Sequence, residues 1–369
     1  MKNEEVIVWD TTKFSSDYPK FIKNIYYKCS LKHRKPFSSW IGKANSNFLK
    51  DLDWWSASPV SRNPYVSELF HHICIIETIK VLNKSNLNFD ITVRSSHLKI
   101  IIENILKKKN YKIHIKNKSN FLNKYINILK SIIFTLFIFL VVRIFTVKKQ
   151  LNLIKKKKIL IDTFVFNDIK KGNRLYKEGD KIIHSKNVEH IFFVPTITPQ
   201  KNLIKIFSNI IFLNKKKYVF KEHYLNLKDL LFAFFHFART RKFLVNYKKY
   251  KNLDLSRLII DEIYLCKDYY SILISLLNFS FARALKNENI QIKKVINWFE
   301  NQTVDKGWNY GFRKFHPNVQ TVGYQGFFYY GQYLNQTPTE TEDKAKVIPH
   351  KIFVNSKIFV KLRKEFYKK

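Results

Sequence analysis

Short apolar runs alternate with stretches of helical spacing along most of this chain, and that alternation restricts the fold more than any other feature. Glu5-Val-Ile-Val-Trp9 is apolar and stops at Asp10-Thr11-Thr12, the pattern of a buried strand that runs into a loop. Farther on, Asp90–Arg94 predicts a strand, Ser95-Ser96 a cap, His97–Lys109 a helix and Tyr111–Ile115 a second strand. Such a strand–helix–strand unit requires parallel pairing with a right-handed crossover. Further strands are predicted at Lys158–Phe166, Glu189–Pro195, Lys293–Phe299, Val319–Gly323 and Lys351–Asn355. Helices are predicted over 65–83, with Asn63 as cap ahead of Pro64, and over 223–249, 254–289 and 303–315; residues 16–63 read as irregular. The fold class is α/β, a Rossmann-like, doubly wound parallel sheet.

One segment interrupts that sheet. Ser131–Val147 is apolar apart from Arg143, and it is bracketed by eight lysines without an acid over 107–130 and by seven basic residues without an acid over 143–158. Seventeen residues at 1.5 Å each reach about 26 Å, short of a hydrocarbon core of about 30 Å, and basic flanks on both sides favour the cytoplasm. The segment therefore reads as a monotopic or peripheral anchor on the cytoplasmic face of the inner membrane, with a single pass or a buried core helix as the other readings. The opening residues contain no signal-peptide core.

The 369 residues carry a formal charge of +39, from 67 Lys+Arg and 28 Asp+Glu. Only 11 of the basic residues are Arg, which weakens a nucleic-acid reading, because base and phosphate recognition favours the planar guanidinium fork. Coding bias toward AT-rich codons enriches Lys, Asn, Ile and Phe together and accounts for part of the charge; a membrane surface accounts for another part. No nucleic-acid partner is expected. The three cysteines, Cys29, Cys74 and Cys266, lie far apart without a CxxC pair, which argues against a disulfide framework. No His/Asp/Glu cluster has zinc spacing, so no metal is expected, and P-loop, GxGxxG and GxSxG motifs are missing.

Residues 298–326 carry the most chemistry. In an open α/β sheet, ligands bind beyond the carboxyl ends of the strands. Glu300, Asn301 and Gln302 stand at one such end, and Gly323, Tyr324, Gln325 and Gly326 at another. Glu300 can hold or deprotonate a sugar hydroxyl, or it can cap the following helix. A second candidate region is Asp53-Trp54-Trp55 with Arg62-Asn63: indole faces stack on sugar rings or fill a core, and Arg with Asn offers paired hydrogen bonds. His71 and His72 cannot share a ligand, since neighbouring helical positions face apart.

The order of strand, Glu300-Asn301-Gln302, a helix with Trp308 and the Arg313-Lys314 pair, strand, and Gly323-Tyr324-Gln325 resembles bacterial surface-carbohydrate (O-antigen or capsule) biosynthesis proteins related to glycosyltransferases of the two-Rossmann-domain GT-B type. Trp9–Pro19, Asp53-Trp54-Trp55 and Ser61–Tyr65 also resemble that group. The resemblance implies transfer of a sugar from a nucleotide-sugar donor to a glycan or lipid-linked acceptor, without a further cofactor. Catalysis would rest on Glu300 or Asp10, and substrate binding on Asn301, Gln302, Arg313, Gly323, Tyr324, Gln325, Asp53, Trp54, Trp55, Arg62 and Asn63. Related proteins carry His where Gly326 stands here.

On this reading residues 1–130 and 148–330 form an N-terminal acceptor domain around the 131–147 segment. Residues 331–346 form a linker, and 347–369 start a donor-binding domain that the chain cuts short. A chain of that kind could instead be a non-catalytic glycan-binding subunit, with a complementary donor-domain subunit as partner.

Overall fold

The computed structural model describes residues 6–84, 88–106, 111–116, 121–166, 169, 173–177, 179, 189–327 and 333–367. The expected strand start at Glu5, the helix end at 107–109, Lys118 and the first two linker residues lie outside them. All eight predicted strands form, yet they build two parallel sheets and not one. In the first, β1 (Val6–Asp10), β2 (Asn88–Val93) and β3 (Tyr111–Ile115) pair in the order β1-β2-β3. In the second, β4 (Lys158–Val165), β5 (Ile191–Ile197), β6 (Ile292–Trp298), β7 (Gln320–Gln325) and β8 (Lys351–Val354) pair in the order β5-β4-β6-β7-β8.

Residues 16–63 are not irregular. They contain the 22-residue helix α1 (Lys20–Ile41), whose buried Ile22, Cys29, His33, Phe37 and Ile41 follow spacings of seven and four. Pro36 inside the helix and a polar opposite face hide that pattern in the sequence. Helix α2 (Leu69–Leu82) starts later than predicted: the Asn63 side chain accepts the Tyr65 N–H in a local turn and does not cap the helix. Helix α3 (Ser96–Leu106) makes the β2–β3 crossover and buries Leu98, Ile102 and Leu106, one turn apart.

The core of the first sheet is not built from the first third of the chain alone. Trp9, Phe89, Ile91 and Ile102 pack in one cluster with Phe243, Tyr250, Leu258 and Ile263, and also with Leu334 and Val347. Residues 1–130 and 148–330 thus share a core, as expected of one domain, and Leu334 and Val347 join that core as well. The described linker residues are a buried strap, with Leu334, Asn335, Thr337 and Glu342 each at most 1% exposed. Residues 351–354 are the edge strand of the second sheet, paired with β7, and not the first strand of a separate domain.

All of the interrupting segment but its last two residues lies in helix α4 (Phe121–Phe145), long and apolar enough to cross a membrane. One face is committed to the protein: Phe139 packs into the core beneath β4–β6, and Ile138, Val141 and Val142 pack with α5 (Leu203–Asn214). Arg143 donates to the carbonyls of Glu222 and Leu225. The expected helices at 223–249 and 254–289 break into shorter pieces, of which α6 (Leu227–Phe234), α7 (Ser256–Leu265) and α8 (Tyr269–Asn287) are the longest. Leu273, Leu276, Phe281 and Leu285 of α8 are fully buried, and each such side chain contributes about 1.5–3 kcal/mol. Helix α9 (Thr303–Phe315) follows β6 as predicted and lies against α8 with Gly307 and Gly311 at the crossing.

Candidate functional site

Strand order in the second sheet reverses between β4 and β6: β5 lies on one side of β4, and β6, β7 and β8 lie on the other. At such a reversal the two flanking loops part and leave a crevice beyond the carboxyl ends of the strands. Glu300, two residues past the end of β6, stands at that crevice.

Its carboxylate is oriented by two donors. Trp298 Nε1 donates to Oε1 at 2.8 Å and Gln302 Nε2 to Oε2 at 3.3 Å. Gln302 is itself held by Asn63 Nδ2, which donates to its Oε1 at 2.8 Å, while Asn335 Nδ2 donates to the Glu300 backbone carbonyl at 2.9 Å. The side chain remains half-buried, so it keeps contact with solvent. Further rings pack on Trp298, which stands edge-on to Tyr324 at 5.5 Å and to Tyr176 at 6.1 Å. Exposed Tyr65 and half-buried Tyr333 meet through their hydroxyls at 3.1 Å. Gly326 belongs to this wall: a Cβ there would lie 2.5 Å from the Trp298 ring. A histidine at this position would displace the indole.

Beneath Glu300 lies a buried ionic cluster that joins the two halves of the chain. Arg62 reaches both carboxylate oxygens of Glu342 at 2.8 Å, and Lys306 Nζ reaches Oε1 at 2.5 Å. Asn301 Nδ2 donates to the same oxygen at 3.1 Å and accepts from Lys306. Burial alone would raise the Glu342 carboxyl, but the two cations outweigh it and hold it near 2. Arg62 and Asn301 both adopt left-handed backbone, each at φ 57°, a conformation that costs non-glycine residues energy and marks sites fixed by their surroundings. The Arg62-Asn63 region and the Glu300–Gln302 region are thus one site, although the sequence offers them as two.

The other candidates fall outside it. Asp10 ends β1 in the first sheet. Burial would raise its carboxyl, yet hydrogen bonds from Thr12 and the Lys116 ammonium hold it below its ordinary value, which makes it a weak base. Trp54 and Trp55 are buried: Trp54 stacks on Tyr247 at 5.7 Å, and Trp55 Nε1 donates to the Leu49 carbonyl. They fill a core and offer no face to a sugar. Asp53 is buried with His236 and Arg239 as donors, which overcome burial and keep it ionised. Arg313 braces Asp343 and the Ile348 carbonyl. A Cβ on Gly323 would lie 2.8 Å from Phe299 and Pro349, so this glycine serves packing. Gln325 is buried and donates to the Gln336 carbonyl. Tyr324 is half-buried beside Trp298, like Gly326, and its hydroxyl donates to Asn355 at 3.2 Å.

Four residues that sequence reading passes over help build the site. Lys306 and Glu342 form the cluster, and Thr339-x-x-Glu342 has the spacing of a capping box, the one signal that could have marked Glu342. Asp162 of β4 and Asp305 of α9 are two buried carboxyls near the strand reversal. Asp305 accepts from Asn297 Nδ2 and from the Gln302 backbone N–H, while Asp162 Oδ1 is buried without a hydrogen-bond partner among the described residues. Burial pushes Asp162 up to about 7 against the pull of Lys221. Burial, with the Asp162 charge adding to it, pushes Asp305 up to about 8. Lys221 itself is buried and donates to Thr196 Oγ1 and Asn278 Oδ1, and buried Lys158 donates to the Ile154 carbonyl.

The two raised carboxyls set a pH dependence. Unfolded, each ionises near 3.8; folded, each keeps its proton to about 7 or 8. The folded state therefore binds more protons across that window, and the stability they contribute is lost as pH rises through it. We expect Tm to fall between pH 5 and 8.5, and Asp305→Asn to flatten the decline. A parallel decline in the variant would exclude Asp305 as its source.

Among the described residues no group of three His, Cys, Asp or Glu side chains could hold a metal ion. The three cysteines are buried and free. No protein family, curated protein or solved structure matches this chain.

Proposed function

We propose that this chain is a glycosyltransferase-like protein of bacterial surface polysaccharide assembly, which transfers a sugar from a nucleotide-sugar donor to a glycan or lipid-linked acceptor. The observation that carries the reading is the Glu300 carboxylate, oriented by Trp298 and Gln302 and open to solvent at the strand reversal. The motif resemblance around it points the same way, and the parallel α/β sheets are compatible with a Rossmann-like fold.

In the proposed step the acceptor hydroxyl oxygen attacks the anomeric carbon. The bond from that carbon to the diphosphate oxygen breaks, and the nucleoside diphosphate leaves with the electron pair. Glu300 takes the hydroxyl proton. Trp298, Tyr324 and Tyr65 supply the faces on which sugar or base rings stack. Arg174, exposed on the loop after β4, is a cation available to the leaving diphosphate.

A panel of nucleotide-sugar donors, incubated with the chain and membrane lipid extract and assayed for released nucleotide, tests this. Glu300→Gln keeps the hydrogen-bonding shape and should lower turnover about 10²–10⁴-fold with Tm unchanged. Equal turnover in the variant would remove Glu300 from the mechanism. Sugar binding without nucleotide release from any donor would replace the enzyme with a glycan-binding subunit.

A further inference from the structure

Helix α4 buries one face and leaves the opposite one bare. Ile133, Leu140 and Ile144 recur at helical spacing on the solvent side, each more than half exposed, and Val147 continues the stripe at 71% exposure. The neighbouring helix extends it: Phe145 of α4 and Phe207 of α5 meet edge to face at 5.0 Å, and Ile204 beside them is 82% exposed. Two helices thus share one uncovered apolar surface. Isolated exposed leucines need no explanation, but a contiguous patch drawn from two elements does.

The charge around the patch identifies its occupant. Segments 143–158 and 200–217, which contain α5 and the end of α4, hold twelve Lys and Arg and no Asp or Glu. Lys158 is buried and Arg143 is held by the Glu222 and Leu225 carbonyls, which leaves ten lysines at least partly exposed, one of them (Lys148) paired with Glu288. Such flexible point charges suit a plane of phosphate headgroups and lack the paired geometry of a specific protein contact. We propose that this surface seats the protein on an anionic lipid bilayer, with α4 lying in the plane of the interface. A crossing is incompatible with the packing, because Ile138, Val141 and Val142 would leave the core and Arg143 would leave the Glu222 and Leu225 carbonyls. The inference does not rest on glycosyl transfer.

Flotation with large unilamellar vesicles tests it. The full chain should float with vesicles of 3:7 phosphatidylglycerol to phosphatidylcholine and bind pure phosphatidylcholine at least about tenfold less. Binding to the anionic vesicles should weaken as salt is raised, since the screening length shrinks to about 3 Å at 1 M. The variant I144E/I204E changes only exposed positions; it should keep the wild-type Tm and lose at least about tenfold in binding. Failure of the wild-type chain to float, or equal flotation of the variant, overturns the proposal. So does a dimer in sedimentation that the same variant abolishes without vesicles, which would make the patch a self-association surface.

Discussion

Gly307→Val is expected to abolish the native packing of α8 against α9. An ideal Cβ at position 307 would stand 1.6 Å from the Ser275 carbonyl oxygen and 2.4 Å from its carbon. Both are backbone atoms in the middle of a buried helix, so no rotamer change relieves the clash. The Gly307 N–H also donates to Ser275 Oγ at 3.0 Å, and Ser275 Oγ meets Ser56 Oγ at 3.0 Å, so separating the helices breaks a three-element junction. Overpacking a core by a few methylenes costs about 1–3 kcal/mol when side chains can yield, and here they cannot. The loss should exceed that range and leave little folded protein at 25 °C. Gly311→Ala meets the Ala282 side chain at 2.9 Å and the Phe279 backbone at 3.0 Å, a milder conflict expected within the range. Denaturation midpoints for the two variants check the order; a Gly307→Val chain as stable as wild type would contradict the crossing.

Glu342→Ala should cost about 3–5 kcal/mol, the penalty for removing one partner of a buried ion pair. Arg62 and Lys306 would remain, each at most 4% exposed, with no counter-charge between them. The carboxylate also accepts the Thr339 N–H and hydroxyl, so the strap would lose its own cap. Because the penalty comes from stranded charge, Lys306→Met in the Glu342→Ala background should recover part of it. A double variant no more stable than Glu342→Ala would show that the cluster acts through packing alone. Thermal melts of the single and double variants measure the coupling.

Strand positions were legible because each buried strand is an apolar run with a polar stop, and Lys158–Phe166 or Lys293–Phe299 needs nothing distant to be recognised. Which strands pair is a different matter. Two sheets and one sheet share the same local pattern, and nothing in Asp90–Ile115 says that Ile91 will pack in a core with Ile263 and Val347. The site was half visible for the same reason. Glu300-Asn301-Gln302 sits where a strand end must be, so its residues could be named. Glu342 lies in a polar, acidic stretch that reads as exposed, and only the arrival of Arg62 and Lys306 from elsewhere makes its burial tolerable. Trp54 and Trp55 failed in the opposite direction: an indole pair offers the same letters to a sugar and to a core, and partners such as Tyr247 and Leu49 decide which.

The buried lysines divide this lysine-rich chain into two kinds of position. At the surface one lysine can be exchanged for another polar residue with little effect, and compositional drift can run there unopposed. Lys158, Lys221 and Lys306 each place an ammonium among specific oxygen acceptors inside the second sheet's packing. Neither an asparagine nor an arginine has the reach and shape to replace it. The same bias that makes lysine uninformative across the exterior leaves these three, among the described residues, as the lysines whose identity the fold itself enforces.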